Sequence, residues 1–166
     1  EMQEDINQEI KSTVENVNAI SEKIATLNRE INSIEITGAY ANELRDERAN
    51  LLDSLSSIVG VETVETEIQN SNGENIGGTN FKVLINGQSL VDGYEYRTIS
   101  CESRKQLQNQ GDAEGLYDLV WSDTGTAFAA ANPNSSGSLK ALVLMRDGNN
   151  NDNFSGKIAN SSTNNQ

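Results

Sequence analysis

A lone cysteine, an Asp-x-Asn-x-Asn run and an excess of carboxylates are the features of this 166-residue chain that could support chemistry. Cys101 lies in a polar segment, and a reactive thiol needs a neighbouring base or cation to hold its thiolate. Arg104 is the candidate nearby, and an inert free thiol is the expected state. Asp147-x-Asn149-x-Asn151 has the alternating oxygens that open a calcium loop. Its sixth position is Asp152 where the loop needs Gly, and its twelfth is Ile158 where it needs a bidentate Glu. The run reads as an Asn-rich turn. Carboxylate pairs are unavoidable among 25 Asp plus Glu, but glycoside hydrolysis needs two of them close together in a cleft. Trp121 stands alone, and nothing in the spacing builds an aromatic-lined cleft around two acids.

The absences narrow the chemistry further. With no His in the chain, Ser-His-Asp and Cys-His triads and the two-His zinc motif are excluded. One Cys excludes an intrachain disulfide and a multi-Cys zinc site. The glycines at 73, 77 and 78 match neither the dinucleotide fingerprint nor the Walker pattern. No catalytic, cofactor-binding or metal-ligating residue is assigned, so no enzyme and no cofactor are expected. The 12 Lys plus Arg against 25 acids leave a net charge of −13, which argues against nucleic acid as a partner. No apolar run approaches the roughly 18 residues that span a bilayer. The start Glu1-Met2-Gln3-Glu4-Asp5 is not the basic beginning of a signal peptide. A soluble chain with no membrane contact is expected. Its 35% hydrophobic and 5% aromatic content calls for a thin or elongated core, since an average domain is roughly 45–50% apolar with Gly included.

The elements that would position any site begin with a heptad pattern. Ile10, Val17, Ile24 and Ile31 recur every seven residues, and Ile6, Thr13, Ile20, Leu27 and Ile34 interleave with them. This predicts a helix over about 3–35, a rod of roughly 50 Å with a narrow apolar seam and a solvated remainder. Thr37-Gly38 ends it. Ala41, Leu44, Leu51, Leu55 and Ile58 then form a second series, interrupted by Arg48. The short connection predicts an antiparallel hairpin. With Ile34 facing Ala41, Ile58 falls opposite Val17, while Ile6 and Ile10 project beyond the second helix. A segment outside this chain, or another subunit, is expected to cover them. Arg48 either lays its aliphatic stem along the seam with its charge in solvent, or pairs with a carboxylate across the hairpin, Glu30 being the nearest in this register, or with the helix expected to cover the seam.

After Gly60 the period becomes two. Val64, Thr66 and Ile68 alternate with Glu65 and Glu67, as in a half-buried strand. Asn72-Gly73 signals a turn, Gly77-Gly78 flexibility, and Phe81, Val83 and Ile85 a strand. Asn86-Gly87 is a strong hairpin signal before Gln88 to Val91. Asp92-Gly93 marks a further turn, Tyr94 to Ile99 another strand, and Leu116 to Trp121 a strand of the same small sheet. Residues 100–115 are poorly periodic, and 123–137 read as a loop containing Pro133. Ser138 is placed to cap a short helix with Leu139, Leu142, Val143 and Arg146 on one side, returning to pack on the hairpin. From Gly148 onward, Asn, Ser and Gly dominate around Phe154 and Ile158. The fold class is α+β: a long helical hairpin over 1–60, a β-rich part over 61–131, a loop and returning helix over 132–148, and a linker or start of a truncated outer domain over 149–166.

Three stretches resemble the bacterial flagellar hook-associated protein 1 family, the first hook–filament junction protein. They are Asn42-x-Leu44-Arg45-Asp46-x-Arg48 running through Leu51, Leu52 and Leu55 to Ile58-Val59-Gly60-Val61; Ile85-Asn86-Gly87-Gln88-Ser89-Leu90-Val91-Asp92-Gly93; and Gly137-Ser138-Leu139-Lys140-Ala141-Leu142 followed by Arg146-Asp147. The first is the most specific. Their order covers about residues 5–148, whereas 94–115, Cys101 and the Asn-rich tail depart from the family's pattern. The resemblance implies a subunit that joins hook to filament by assembling into a ring, with copies of itself and neighbouring hook and junction proteins as partners. It also implies an extracellular place in the flagellum, reached unfolded through the flagellar secretion channel without a cleaved signal peptide. The residues expected to matter for assembly are Arg45, Asp46 and Arg48 as orienting charges, and Ile6, Ile10 and Val17 on the incomplete seam. The resemblance further implies a central and outer fragment that lacks the family's two terminal helical segments, from which the partner of Ile6 and Ile10 would come; alone, it is expected to be monomeric or weakly associated through that seam. The alternative is an extracellular adhesive or ligand-binding module on a helical stalk, which a large apolar or aromatic-lined pocket in the β region would favour. A hydrolase using paired carboxylates would need a deep cleft holding two close acids.

Overall fold

The computed structural model describes residues 2–103, 116–128 and 136–147. Helix α1 (Met2–Glu35) is the spine, and α2 (Asn42–Ile58) returns antiparallel beside it. The register is one residue on from the expected one. Ile34 is 37% exposed, and it is the Glu35 carboxylate that accepts the Ala41 N–H at 3.1 Å. Ala41, the residue before α2, offers no side-chain cap. A carboxylate at the unsatisfied N–H groups and positive end of α2 therefore outweighs burying one more isoleucine.

Strands β1 (Glu62–Gln69), β2 (Asn75–Ile85), β3 (Gln88–Asp92) and β4 (Glu95–Tyr96) form an antiparallel sheet in chain order. Asn86 (φ 52°) and Gly87 (φ 81°) make the type I′ connection between β2 and β3. Phe81, Val83 and Ile85 turn inward as the alternation predicts. Strand β1 does not: Val64 is 42% exposed. The reason is position, for β2, β3 and β4 pack on α1, while β1 is the outer strand and reaches the helices through Glu65.

Gly77 and Gly78 lie inside β2, where flexibility is expected from the sequence. They let the strand pass close to the end of α1. A Cβ built on Gly77 would stand 2.8 Å from the Glu35 carbonyl and 3.1 Å from Ile36 Cα, and Gly77 holds φ 102°. Both obstacles are backbone, so Gly77→Ala should cost about 2 kcal/mol through strain and displacement. Chemical denaturation is the check, and a loss within 0.5 kcal/mol, the usual range for neutral surface changes, would contradict this packing.

The run from Tyr94 to Ile99 breaks after β4, and β5 (Ile99–Ser103) pairs instead with β6 (Tyr117–Trp121) in a separate two-stranded sheet. The break coincides with Arg97, whose guanidinium lies 4.0 Å from the Trp121 ring centre and pairs with Asp123. Trp121 is not alone either, since Phe128 meets it edge-on at 5.2 Å.

Helix α3 (Ser138–Arg146) packs on α1, as its apolar face predicts, and Leu139 is fully buried. Gly137, and not Ser138, is the residue before the helix, and no side chain caps it. Ile6 and Ile10 are buried in one continuous core with Leu139, Leu119 and Phe81, to which Leu142 and Val143 add. The vacancy expected beside them is thus filled from within the chain, because the returning helix reaches the part of α1 that α2 leaves uncovered. A second cluster of Leu27, Ile31 and Ala41 closes the hairpin tip. No helix among the described residues is long and apolar enough to cross a membrane. Arg104, Pro133, the Asn-rich run beyond Asp147, Phe154 and Ile158 lie outside the described residues.

Candidate functional site

With no catalytic residue assigned from the sequence, the candidate site is the polar framework that fixes helices and strands to each other. It begins on α1. Asn7, Val14, Ser21, Asn28 and Glu35 form a third seven-residue series beside the apolar seam, and all five are buried. The buried stripe is consequently wider than the isoleucines suggest. Asn18 and Asn32 lie on the same side, and the four asparagines 7, 18, 28 and 32 fall within an arc of roughly 80° on a 3.6-residue period.

Each of these four asparagines bonds to the main chain of a β element. Asn18 brackets Ile99, donating to its carbonyl at 2.9 Å and accepting its N–H at 2.8 Å. Asn32 does the same to Thr79, at 2.7 and 3.0 Å, and also meets the Tyr94 hydroxyl. Asn28 donates to the Phe81 carbonyl of β2 at 3.4 Å and to the Gly93 carbonyl in the turn after β3 at 2.7 Å, and accepts from Arg48 Nη1 at 2.7 Å. Asn7 accepts the Tyr117 N–H at 3.0 Å and Arg146 Nη1 at 2.8 Å. The amide suits this work because it donates and accepts at once, as a backbone peptide does. Asn7 and Asn28, three heptads apart, each hold a buried arginine of another helix, Arg146 of α3 and Arg48 of α2.

The second part of the framework sits near the hairpin tip. Arg45 grips Glu35 with a fork of two bonds, Nε to Oε2 at 2.6 Å and Nη2 to Oε1 at 2.7 Å. It also reaches Glu65 at 3.2 Å. Arg48, 5% exposed, stacks at 3.9 Å from the Phe81 ring centre and lies 3.5 Å from the same Glu65 oxygen. Its carboxylate partner is therefore Glu65 on β1; Glu30, the expected one, is exposed on α1. Arg48 is no solvated charge. Arg45 and Arg48 tolerate their helical spacing on α2 because the Glu65 carboxylate of β1 meets both.

The hydrogen bond from Arg45 holds the Glu35 carboxyl below its ordinary value, against the opposing effect of burial. Burial, the largest influence on Glu65, works upward, but bonds from Thr79 and Arg45 prevail and the net shift is downward. A carboxyl that titrates lower folded than unfolded contributes stability that is complete above the unfolded value and lost as pH falls through the folded one. From an ordinary value of 4.5, the Glu35 contribution should be whole above about pH 5 and decline below about pH 4.5. The stability gap between the native chain and Glu35→Gln is the measure, because loss of general charge repulsion affects both alike. A gap that stayed constant down to pH 3 would sink the assignment.

Among the other residues singled out from the sequence, Ile6, Ile10 and Val17 are core. Asp46 is exposed and makes no ion pair with any described residue. Cys101 is half-buried, and burial pushes its thiol up from the ordinary value, in keeping with an inert group. Two depressions of about 490 and 520 Å³ flank Tyr94 and share Asp92 and Glu95. The Tyr94 hydroxyl is engaged by Asn32 and Arg29 stacks over its ring at 4.7 Å. Charged, polar and tyrosine side chains line both hollows, Tyr96 joining Tyr94 in the second. Among the described residues no group of three His, Cys, Asp or Glu could hold a metal ion.

The arrangement holds elements in fixed relation, which agrees with what the chain is similar to. Residues 1–162 match the family described as the flagellar hook-associated protein FlgK helical domain. Flagellar hook-associated protein 1 of Bacillus subtilis (strain 168) is 29% identical over 150 residues, which are 86% of this chain and 28% of that protein. The Escherichia coli (strain K12) protein of the same name is 35% identical over 97 residues, 57% of this chain and 16% of its own length. The structure of the flagellar hook junction protein FlgK from Burkholderia pseudomallei shares the fold, with a TM-score of 0.59 at 23% identity over 87% of this chain and 24% of that one. The chain thus spans 28% or less of the length of these relatives. Matched along almost its entire length, it belongs to the flagellar hook-associated protein FlgK family, whose members are structural proteins of the flagellum and not enzymes.

Proposed function

We propose that the chain is the helical portion of a subunit that joins hook to filament, and that it acts by packing alone. One observation carries this reading: among the described residues, α2, α3 and both sheets pack on a single 34-residue helix, four of whose asparagines bond to them. Such a spine transmits load along its axis without flexing at the joints. Copies of the subunit and neighbouring hook and junction proteins are the partners, arranged as a ring outside the cell after export in unfolded form through the flagellar channel. Ile6, Ile10, Val17, Arg45 and Arg48 serve assembly indirectly, by holding the rod in one shape, while exposed Asp46 is available to a neighbour. With the seam closed internally, the isolated chain should sediment as a monomer. Deleting the encoding segment from the cells' own gene should leave hooks bare and filament protein in the medium, seen by electron microscopy and blotting. Hooks carrying full-length filaments would overturn the reading.

A further inference from the structure

The second hollow beside Tyr94 holds groups that the framework does not use. It measures about 520 Å³, and Asp92, Tyr94, Glu95, Tyr96, Arg97 and Asp123 are among the residues that line it. Sites of that volume accommodate a ligand or an inserted side chain. Tyr94 is 40% exposed and Tyr96 42%. The arginine of the hollow is already taken, since Arg97 forks onto Asp123 at 2.9 and 3.0 Å and lies over Trp121. Asp92 and Glu95 are exposed. Asp92 has the Asn80 amide at 3.4 Å, and among the described residues the Glu95 carboxylate and the Tyr96 ring meet no partner. With Arg97 and Asp123 cancelling, the hollow presents two aromatic rings beside two carboxylates that no cation of the described chain offsets.

We propose that this hollow seats an arginine side chain of a different protein subunit. Aromatic faces attract a cation, carboxylates take its N–H groups in a fork, and the flat guanidinium can stack and donate at once, which an ammonium cannot. The fold already makes this pairing here: Arg29 stands 4.7 Å from the Tyr94 ring centre and Arg97 4.0 Å from that of Trp121. Tyrosine and arginine are also the residues most often found where two proteins grip each other. A second copy of this chain is disfavoured as donor, because its described arginines are engaged. Arg29 and Arg97 lie on rings, Arg45 and Arg48 meet Glu35 and Glu65, and Arg146 is held by Asn7 and the Tyr117 carbonyl. Two chains of net charge −13 would also bring like charges together. The proposal rests on the structural reading above, which supplies neighbouring subunits, and specifies what one of them presents.

The test titrates three short peptides into the purified chain, acetyl-Gly-Arg-Gly-amide and its lysine and citrulline counterparts, while the tyrosine ring signals are followed by NMR. The arginine peptide should shift Tyr94 and Tyr96 saturably. Citrulline, of the same shape without the charge, should bind at least about tenfold more weakly, and lysine should fall between the two. The double variant Asp92→Asn/Glu95→Gln, at two exposed positions, should weaken arginine binding by at least about tenfold. Tyr96→Ser should weaken it by about threefold, as loss of a cation–π face requires. Unchanged isoleucine methyl signals show that each variant keeps its fold. Citrulline or lysine binding as well as arginine, binding indifferent to either variant, or no saturable shift would overturn the proposal. So would tyrosine signals that move with chain concentration alone, since that makes a second copy the occupant. Failure here with bare hooks in the deletion experiment would leave the structural reading standing and remove only the arginine seat.

Discussion

Replacing Arg48 with Ala is expected to cost the chain about 3–4 kcal/mol, the largest single effect outside the apolar core. Three losses coincide. Asn28 Oδ1 is left buried without the donor that now sits at 2.7 Å. The Phe81 ring loses the guanidinium that covers it at 3.9 Å, and a fully ordered side-chain volume becomes empty. Glu65 retains Arg45, which limits the electrostatic part. Arg48→Lys keeps the charge without the planar fork and should recover less than half of the loss. Because Arg48 and Asn28 share one bond, the double replacement Arg48→Ala/Asn28→Ala should fall short of the sum of the singles by 1 kcal/mol or more, on the order of coupling expected for contacting residues. Urea unfolding of the four chains measures this. Additive singles, or an Arg48→Ala loss below 1 kcal/mol, would show that the guanidinium is a bystander.

Gly137→Ala is expected to be nearly as severe, at about 3 kcal/mol, and to act at a distance. Gly137 holds φ 102°, and a Cβ there collides with the Ile58 carbonyl and comes within 2.8 Å of the Val59 nitrogen. Both are backbone at the end of α2, so relief requires α3 to move. Since α3 supplies the contacts of Arg146 with Asn7 and of Gln3 with the Arg146 carbonyl, moving it uncovers Ile6 and Ile10. Hydrogen exchange should therefore quicken in the first three turns of α1 while β2 and β3 stay protected. Uniform loss of protection across the chain, or none, would contradict a dedicated role for α3 in closing the seam.

What the residues reveal before folding follows from where each bond partner lies. Heptad isoleucines, the Asn86-Gly87 turn and the apolar face of α3 depend on local spacing, and all three are legible. The asparagine series is not, because Asn7, Asn18, Asn28 and Asn32 pass for a solvated face. Their partners are main-chain groups more than 45 residues away along the chain. A signal was present: Asn7, Ser21 and Asn28 keep the seven-residue period of the seam beside them. Glu35 is harder still, since an acid in the last turn opposes the dipole of its own helix. It makes sense once α2 places an N-terminus and Arg45 against it. Arg48 reads as an interruption of an apolar series, and only the strand that carries Glu65 and Phe81 turns it into a junction between layers. Gly77 is ambiguous in the same manner, because the close approach it permits exists only after the sheet has docked.

Location tests the central claim most directly. Antibody raised against this chain, applied with gold to isolated flagella of the cells that produce it, should label one narrow band between hook and filament. Label spread along the filament, or absent from intact flagella, would contradict a junction subunit.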